Sequence, residues 1–295
     1  MLLRSDHKFE AVLAPSSSLG SVRPSLLRRL ASRGSPCAPT LFRSREVVWS
    51  VSADAHGRPP VVGLALFGSR ARGENGPQAD VDLLGVTAAP SEAIPAAVHG
   101  QVRLSCYPLV HLVRRAEAGD LFVLHVAREA VVLFDAGDVF ERIQRSFRYR
   151  DDYDREVRLA SDLGWFLVRH ADRFRSGPAL SSRIAWCTRT ILIARSAVER
   201  RPVFAAAELA RLADDPVVER LIGDRGAPGV HAVVLEHFGD VLRRFGATPP
   251  PERTFDEQRR AFLEDRNAAG LAALAVLVGT GASQPPLAAA GTREG

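Results

Sequence analysis

The stretch Leu64–Val86, LALFGSRARGENGPQADVDLLGV, places Gly68 and Ser69 at the end of an apolar run and two aspartates, Asp80 and Asp82, a short loop later. Glycine lets backbone approach a ligand closely, and the serine hydroxyl adds a side-chain donor. A short helix opening at Ser69 would aim its N–H groups and the positive end of its dipole at whatever lies before the pair, which suits a phosphate. Arg70 and Arg72 in the same segment are candidate clamps on that phosphate, because a guanidinium grips phosphate oxygens bidentately. By itself a Gly-Ser pair is also a common strand-to-helix connection with no ligand at all.

The aspartates add a second kind of chemistry. In a strand residues i and i+2 share a face, so Asp80 and Asp82 stand side by side while Val81 and Leu83 turn into the core. Two adjacent carboxylates on an otherwise apolar strand repel and need a compensating cation. Carboxylate oxygens combined with triphosphate oxygens are the hard donors that Mg²⁺ prefers. The competing arrangement is an edge strand with both aspartates solvated or paired to Arg70 and Arg72.

These residues need a sheet to position them. Val61–Phe67 and Val81–Val86 are the clearest strand candidates, with QVRLSCY and AVVLFD as two more, since all are short β-branched or apolar runs bounded by turn residues. SEAIPAAVH and PLVHLVRRAEAGDLFVLHVARE read as helical, so residues 45–148 form a mixed-sheet α/β domain. After RYRDDYDREVR the strand signals stop and amphipathic stretches follow, giving a helical domain over residues 149–278. In RIAWCTRTILIARSAVERR, Ile184, Cys187, Ile191, Ala194 and Val198 share one side, widened by Trp186, Ile193 and Ala197, so this helix sits deep in a bundle. Residues 137–150 read as a short connection between the domains, and a last helix is expected from Phe255 to about Val278. Residues 1–44 hold one short helix, Ser25 to Gly34, and 279–295 have the composition of a disordered tail. The fold class expected is therefore α+β, a small mixed sheet followed by an all-helical bundle.

The motif FGSRARGENGPQADVDLLGV resembles the core of DNA polymerase β-like nucleotidyltransferases, especially the minimal nucleotidyltransferases of bacteria. The resemblance implies that Gly68 and Ser69 cradle the β- and γ-phosphates of an NTP, with Arg70 and Arg72 nearby, and that Asp80 and Asp82 are catalytic and bind Mg²⁺. It further implies transfer of an NMP to an acceptor hydroxyl with release of pyrophosphate. YPLVHLVRRAEAGDLFVLHVAREAVVLFD resembles the helix and closing strand of the same domain, and the helical half is similar in kind to the accessory bundles of HEPN-type or aminoglycoside-modifying relatives. The family usually carries a third acidic residue on the next core strand, where this chain reads QVRLSCYP with Arg103 and Ser105 in the candidate places. The departure implies lost activity, an acceptor activated in another way, or a substitute from Glu117 or Asp120, both of which read as solvated helix or loop residues. A degenerate member that binds nucleotide or a partner without transfer is thus the alternative. The acceptor is open between a small molecule, a protein hydroxyl and an RNA end. It is expected between the two domains, with Arg169, Arg189 or Arg195 supplied by the first helices of the bundle.

Composition is that of a soluble globular protein, and its charge balance suits anionic ligands. The 295 residues carry a formal charge of +5, almost wholly from arginine because Lys8 is the only lysine. The arginines form no long run, so nucleic acid is not the favoured partner, and a template-dependent polymerase is not expected. No apolar run is long enough for a membrane helix, and Asp6, Lys8 and Glu10 interrupt the place of a secretion signal, so a cytoplasmic location is expected. Cys37, Cys106 and Cys187 are too far apart for a zinc site or a disulfide framework and read as small buried hydrophobes. Arg225 and His231 have the R-x5-H spacing of HEPN ribonucleases, but DRGAPGVH is too rich in Gly and Pro for the helix that motif requires. His125, His170 and His237 read as core or surface histidines, and Trp165 and Trp186 as core.

Overall fold

The computed structural model describes residues 61–74, 80–88, 97–99 and 102–278. They fall into two compact units that divide between Arg148 and Tyr149. The Ser25–Gly34 helix, Cys37 and the tail after residue 278 lie outside the described residues.

The first unit is a five-stranded mixed sheet in the order β3-β4-β2-β1-β5. Its strands are β1 (Val61–Phe67), β2 (Val81–Thr87), β3 (Ala97–His99), β4 (Val102–Pro108) and β5 (Val131–Asp135). β1 runs antiparallel to both β2 and β5, β2 is parallel to β4, and β3 closes the edge antiparallel to β4. Between the strands lie α1 (Ser69–Arg72), α2 (Leu109–Glu117) and α3 (Leu121–Glu129), and α4 (Val139–Ser146) follows β5. Alternation along the strands builds two apolar layers. Ala65, Phe67, Leu84 and Val86 pack with Leu112, Val123, Val126, Phe140 and Ile143 of the helices, while Leu64, Leu66, Val81, Leu83, Leu104, Cys106 and Leu133 form the opposite layer.

Two sequence expectations are corrected here. SEAIPAAVH does not end as a helix: Ala97–His99 is β3, paired with Leu104, Arg103 and Val102, because the open edge of β4 offers ladder hydrogen bonds that outweigh a weak local helical preference. The rest of that segment lies outside the described residues. Residues 137–150 are not a bare connection, since they contain α4 of the sheet unit. Asp135 caps it, its two carboxylate oxygens accepting from the Val139 and Phe140 amides at 2.9 and 3.2 Å. The helix lies so close to β1 that a Cβ on Gly63 would come within 2.5 Å of Val139 Cγ2.

The second unit is helical: α5 (Asp154–Arg169), a 3₁₀ turn (Ala171–Arg173), α6 (Gly177–Val198), α7 (Ala206–Ala213), α8 (Val217–Gly223), α9 (Ala232–Phe245), α10 (Phe255–Glu264) and α11 (Ala268–Val278). Ser176 caps α6 through the Ala179 amide, and Pro178 follows in the first turn, both ordinary helix-start devices. Ile184, Cys187, Ile191, Ala194, Ile193 and Ala197 are buried on α6 as the periodicity predicts. Val198 is exposed, since the helix ends there, and Trp186 is only half-buried, short of the core place expected of it. Trp165 is buried. The single terminal helix expected from Phe255 is broken in two by Arg266 at φ 54°. Asn267 then starts α11, accepting from the Gly270 amide and donating to the Leu159 carbonyl. Among the described residues no helix is long and apolar enough to cross a membrane.

Candidate active site

The Gly-Ser turn leaves β1 at Gly68, which has φ 79° and ψ −158°, a conformation open essentially to glycine alone. The same glycine meets a carboxylate. A Cβ placed on it would lie 3.1 Å from Asp82 Oδ2, because the antiparallel register sets Phe67 opposite Asp82 and brings the end of β1 onto the start of β2. α1 is a single turn of four residues, opening at Ser69 and closed by Gly73 at φ 76°. So short a helix adds little dipole, and the expected aid from one is correspondingly small.

Asp80 directly precedes β2, and Asp82 is half-buried beside buried Val81 and Leu83. The parallel register places Arg103 of β4 opposite Asp82, and the Arg103 guanidinium reaches diagonally to Asp80, with Nη2 3.0 Å from Oδ2. A guanidinium thus stands where a third carboxylate was sought. Ser105 is opposite Leu84, further along the strands. Among the described residues no three His, Cys, Asp or Glu side chains gather into a metal site.

Of the two acidic substitutes, Glu117 is the exposed helix residue expected, whereas Asp120 is engaged. Asp120 caps α3, accepting from the Phe122 and Val123 amides at 2.9 and 3.0 Å and from Arg115 Nη2 at 2.9 Å. Exposed Glu117, the last residue of α2, lines a shallow polar cavity with Asp138, Glu141, Arg142, Arg145 and Arg148.

The two arginines of the turn face inward. Arg70 is 3% exposed, and its Nε donates to the Asp80 carbonyl at 3.2 Å, tying α1 to the start of β2. Arg72 donates to Glu74 at 2.8 Å and to Glu129 of α3 at 2.6 Å. The Glu129 oxygen that accepts from Arg72, Oε2, also lies 2.8 Å from His125 Nε2. Burial by itself would raise the Glu129 carboxyl, but hydrogen bonds and charge from His125 and Arg72 outweigh it and hold the group below the usual glutamate range. His125 also packs edge-on to Phe67, the last residue before the turn, with ring centroids 6.0 Å apart. Sequence reading passed over Glu129 and this role of His125, and named Arg103 only as a residue in the place of the third carboxylate. The i,i+4 spacing of His125 and Glu129 on α3 was the one local signal available.

The arginines expected from the helical unit are engaged within that unit. Arg169 donates to the Pro250 and Pro251 carbonyls, Arg189 to Phe204 and Arg195 to Phe245. Residues 225–231 are not helical, in line with the setting aside of Arg225 and His231 as a ribonuclease pair. Cys106 and Cys187 are buried, and burial pushes the Cys187 thiol up, away from reactivity.

Residues 53–157 match the family model described as the nucleotidyltransferase domain, a span that includes the whole described sheet and reaches into α5. That span, under half of the chain, is thus similar to nucleotidyltransferase domains. Among solved structures it is similar to a nucleotidyltransferase-like protein from Exiguobacterium sibiricum 255-15, at 17% identity over 81% of this chain and 92% of that one, with a TM-score of 0.27. No curated protein matches the chain.

Proposed function

We propose that this protein binds an NTP with Mg²⁺ at the Gly68–Ser69 turn and transfers its NMP to an acceptor hydroxyl. The observation that carries the reading is the approach of Gly68 to Asp82: backbone that only glycine can supply lies against a carboxylate, leaving room for phosphate where any side chain would intrude.

The donor set fits Mg²⁺ presented with a nucleotide. Asp80 and Asp82 offer hard carboxylate oxygens, and this ion is commonly held by one or two carboxylates plus substrate phosphates. When bound, it would neutralise charge developing on the phosphates. Gly68 and Ser69 hold the phosphate chain, and Asp80 and Asp82 orient it beside the acceptor. The acceptor oxygen bonds to the α-phosphorus, the bond from that phosphorus to the bridging oxygen breaks, pyrophosphate leaves, and the hydroxyl proton passes to solvent or a base. Positioning and charge neutralisation supply most of the rate in such transfers. Arg70 and Arg72, tied to Asp80, Glu74 and Glu129, support the turn from behind in this reading.

A second reading is favoured by the ion pair between Arg103 and Asp80. It keeps nucleotide or partner binding and drops transfer, because the place of a third carboxylate holds a cation and, among the described residues, no third acidic side chain joins Asp80 and Asp82.

Incubating the purified chain with each α-labelled NTP and Mg²⁺, then tracing label to protein, RNA and small-molecule pools, separates the two. Labelled acceptor that disappears in Asp82→Asn supports transfer. Nucleotide bound with label nowhere supports the second reading, and no nucleotide binding at all rejects transfer and the nucleotide-binding form of the second reading.

A further inference from the structure

We propose that Arg103 is a phosphate-binding residue of this site: its guanidinium, which rests on Asp80, moves onto the polyphosphate when nucleotide enters, releasing Asp80. The inference rests on the nucleotide-binding reading above and assigns the arginine that serves it.

Three observations lead there. First, the arginines of the turn are turned away from a ligand. Arg70 is 3% exposed, with its Nε on the Asp80 carbonyl. The Arg72 side chain is 12% exposed and held by two carboxylates. Second, the Arg103 side chain is 37% exposed and its Asp80 partner 31%, so a soluble anion can reach the guanidinium. Third, the parallel register sets Arg103 opposite Asp82, the residue against which Gly68 lies. The guanidinium, the two carboxylates and the open glycine turn therefore converge on one end of β2.

Charge gives the exchange a direction. The Asp80 and Asp82 carboxylates oppose a polyphosphate that arrives without a cation. A phosphate chain arriving with a divalent cation offers each group a better partner: Asp80 meets the cation, and the guanidinium meets phosphate oxygens in the bidentate geometry that suits it. An ion pair this exposed contributes little to folding, so exchanging its partner costs little stability. Arginine matters here beyond its charge, because an ammonium at the same place would be a point charge without the fork.

The test measures binding of ATP, GTP, CTP and UTP to the full chain by calorimetry, with Mg²⁺ and with EDTA, alongside the matching nucleosides. Arg103→Gln is expected to weaken the bound triphosphate at least tenfold in both conditions while melting within a few degrees of the parent, with Arg103→Lys falling between. Any nucleoside affinity should change less than twofold. Asp80→Asn provides an independent reading: in EDTA it removes a repelling charge and releases Arg103, so triphosphate binding should tighten. Arg103→Gln binding Mg²⁺-NTP as tightly as the parent, or more tightly, would mean that Arg103 only competes with the cation for Asp80, and the proposal is overturned. Unchanged or weaker binding by Asp80→Asn in EDTA overturns it as well. If the parent chain binds no NTP, the nucleotide reading itself fails and this proposal with it, an outcome distinct from a parent that binds and a variant that does not differ.

Discussion

Arg72 and Glu129, 57 residues apart in the chain, meet with Nη1 2.6 Å from Oε2. This contact pins the one-turn helix after Gly68 to α3. His125, one turn earlier on α3, shares the same oxygen, so one carboxylate holds both Arg72 and His125.

Glu129→Ala should therefore leave a half-buried guanidinium short of a partner and destabilise the protein by about 1–3 kcal/mol. It should also weaken nucleotide binding by loosening α1. The pH dependence has a definite sign. The folded-state pKa of Glu129 is depressed, so its stabilisation is fully present above the unfolded value near ~4.3 and is lost as pH falls through the lower folded value. Denaturant unfolding of the parent and Glu129→Gln between pH 3 and 7 checks this: the stability gap should be wide at neutral pH and narrow in acid. A gap that stays constant would contradict it.

Gly68→Ala meets two obstacles at once. Its φ of 79° is strained for alanine, and the new Cβ would lie 3.1 Å from Asp82 Oδ2. A loss of about 1–3 kcal/mol in stability is expected from the backbone, together with loss of nucleotide affinity from the crowded carboxylate. Thermal melts and nucleotide titration read the two effects separately. Parent-like affinity in this variant would remove the main support for a phosphate site at the turn.

Asp162 of α5 is 9% exposed. Burial raises its carboxyl above the usual aspartate range and the nearby Asp265 raises it further, against the lowering charges of Arg158 and Arg253. A raised folded pKa means that the folded state holds the proton more tightly than the unfolded chain. Stability is then lost as pH rises from the unfolded value, near ~3.9, through the folded one. Asp162→Asn should raise the melting temperature by about 2–4 °C at pH 8 and have little effect near pH 3. A lower melting temperature at pH 8 would show that the ionised carboxylate stabilises the helical unit.

Arg195 Nε donates to the Phe245 carbonyl at 2.7 Å, satisfying the end of α9 where a cation also suits the helix dipole. Arg195→Ala should lower stability by about 1 kcal/mol and leave nucleotide affinity unchanged. A drop in nucleotide affinity or transfer without a drop in melting temperature would instead give Arg195 a role at the ligand.

Local signals carried the strands, the Gly-Ser turn and the pair of aspartates into view from sequence, because each depends on a few contiguous residues: an apolar run ended by glycine, a two-residue alternation, a capping side chain. The same locality explains the failures. Ala97–His99 pairs as a strand because β4 offers it an edge, and the break at Arg266 follows from a left-handed residue that helical periodicity does not register. What the arginines do was beyond sequence altogether. Arg70, Arg72 and Arg103 are alike in type, yet one is buried on the Asp80 carbonyl, one is held by Glu74 and Glu129, and one rests on the Asp80 carboxylate. Strand register and helix docking join residues remote in the chain, so only the folded sheet could sort these guanidiniums into two that brace the turn and one that stands beside the aspartates.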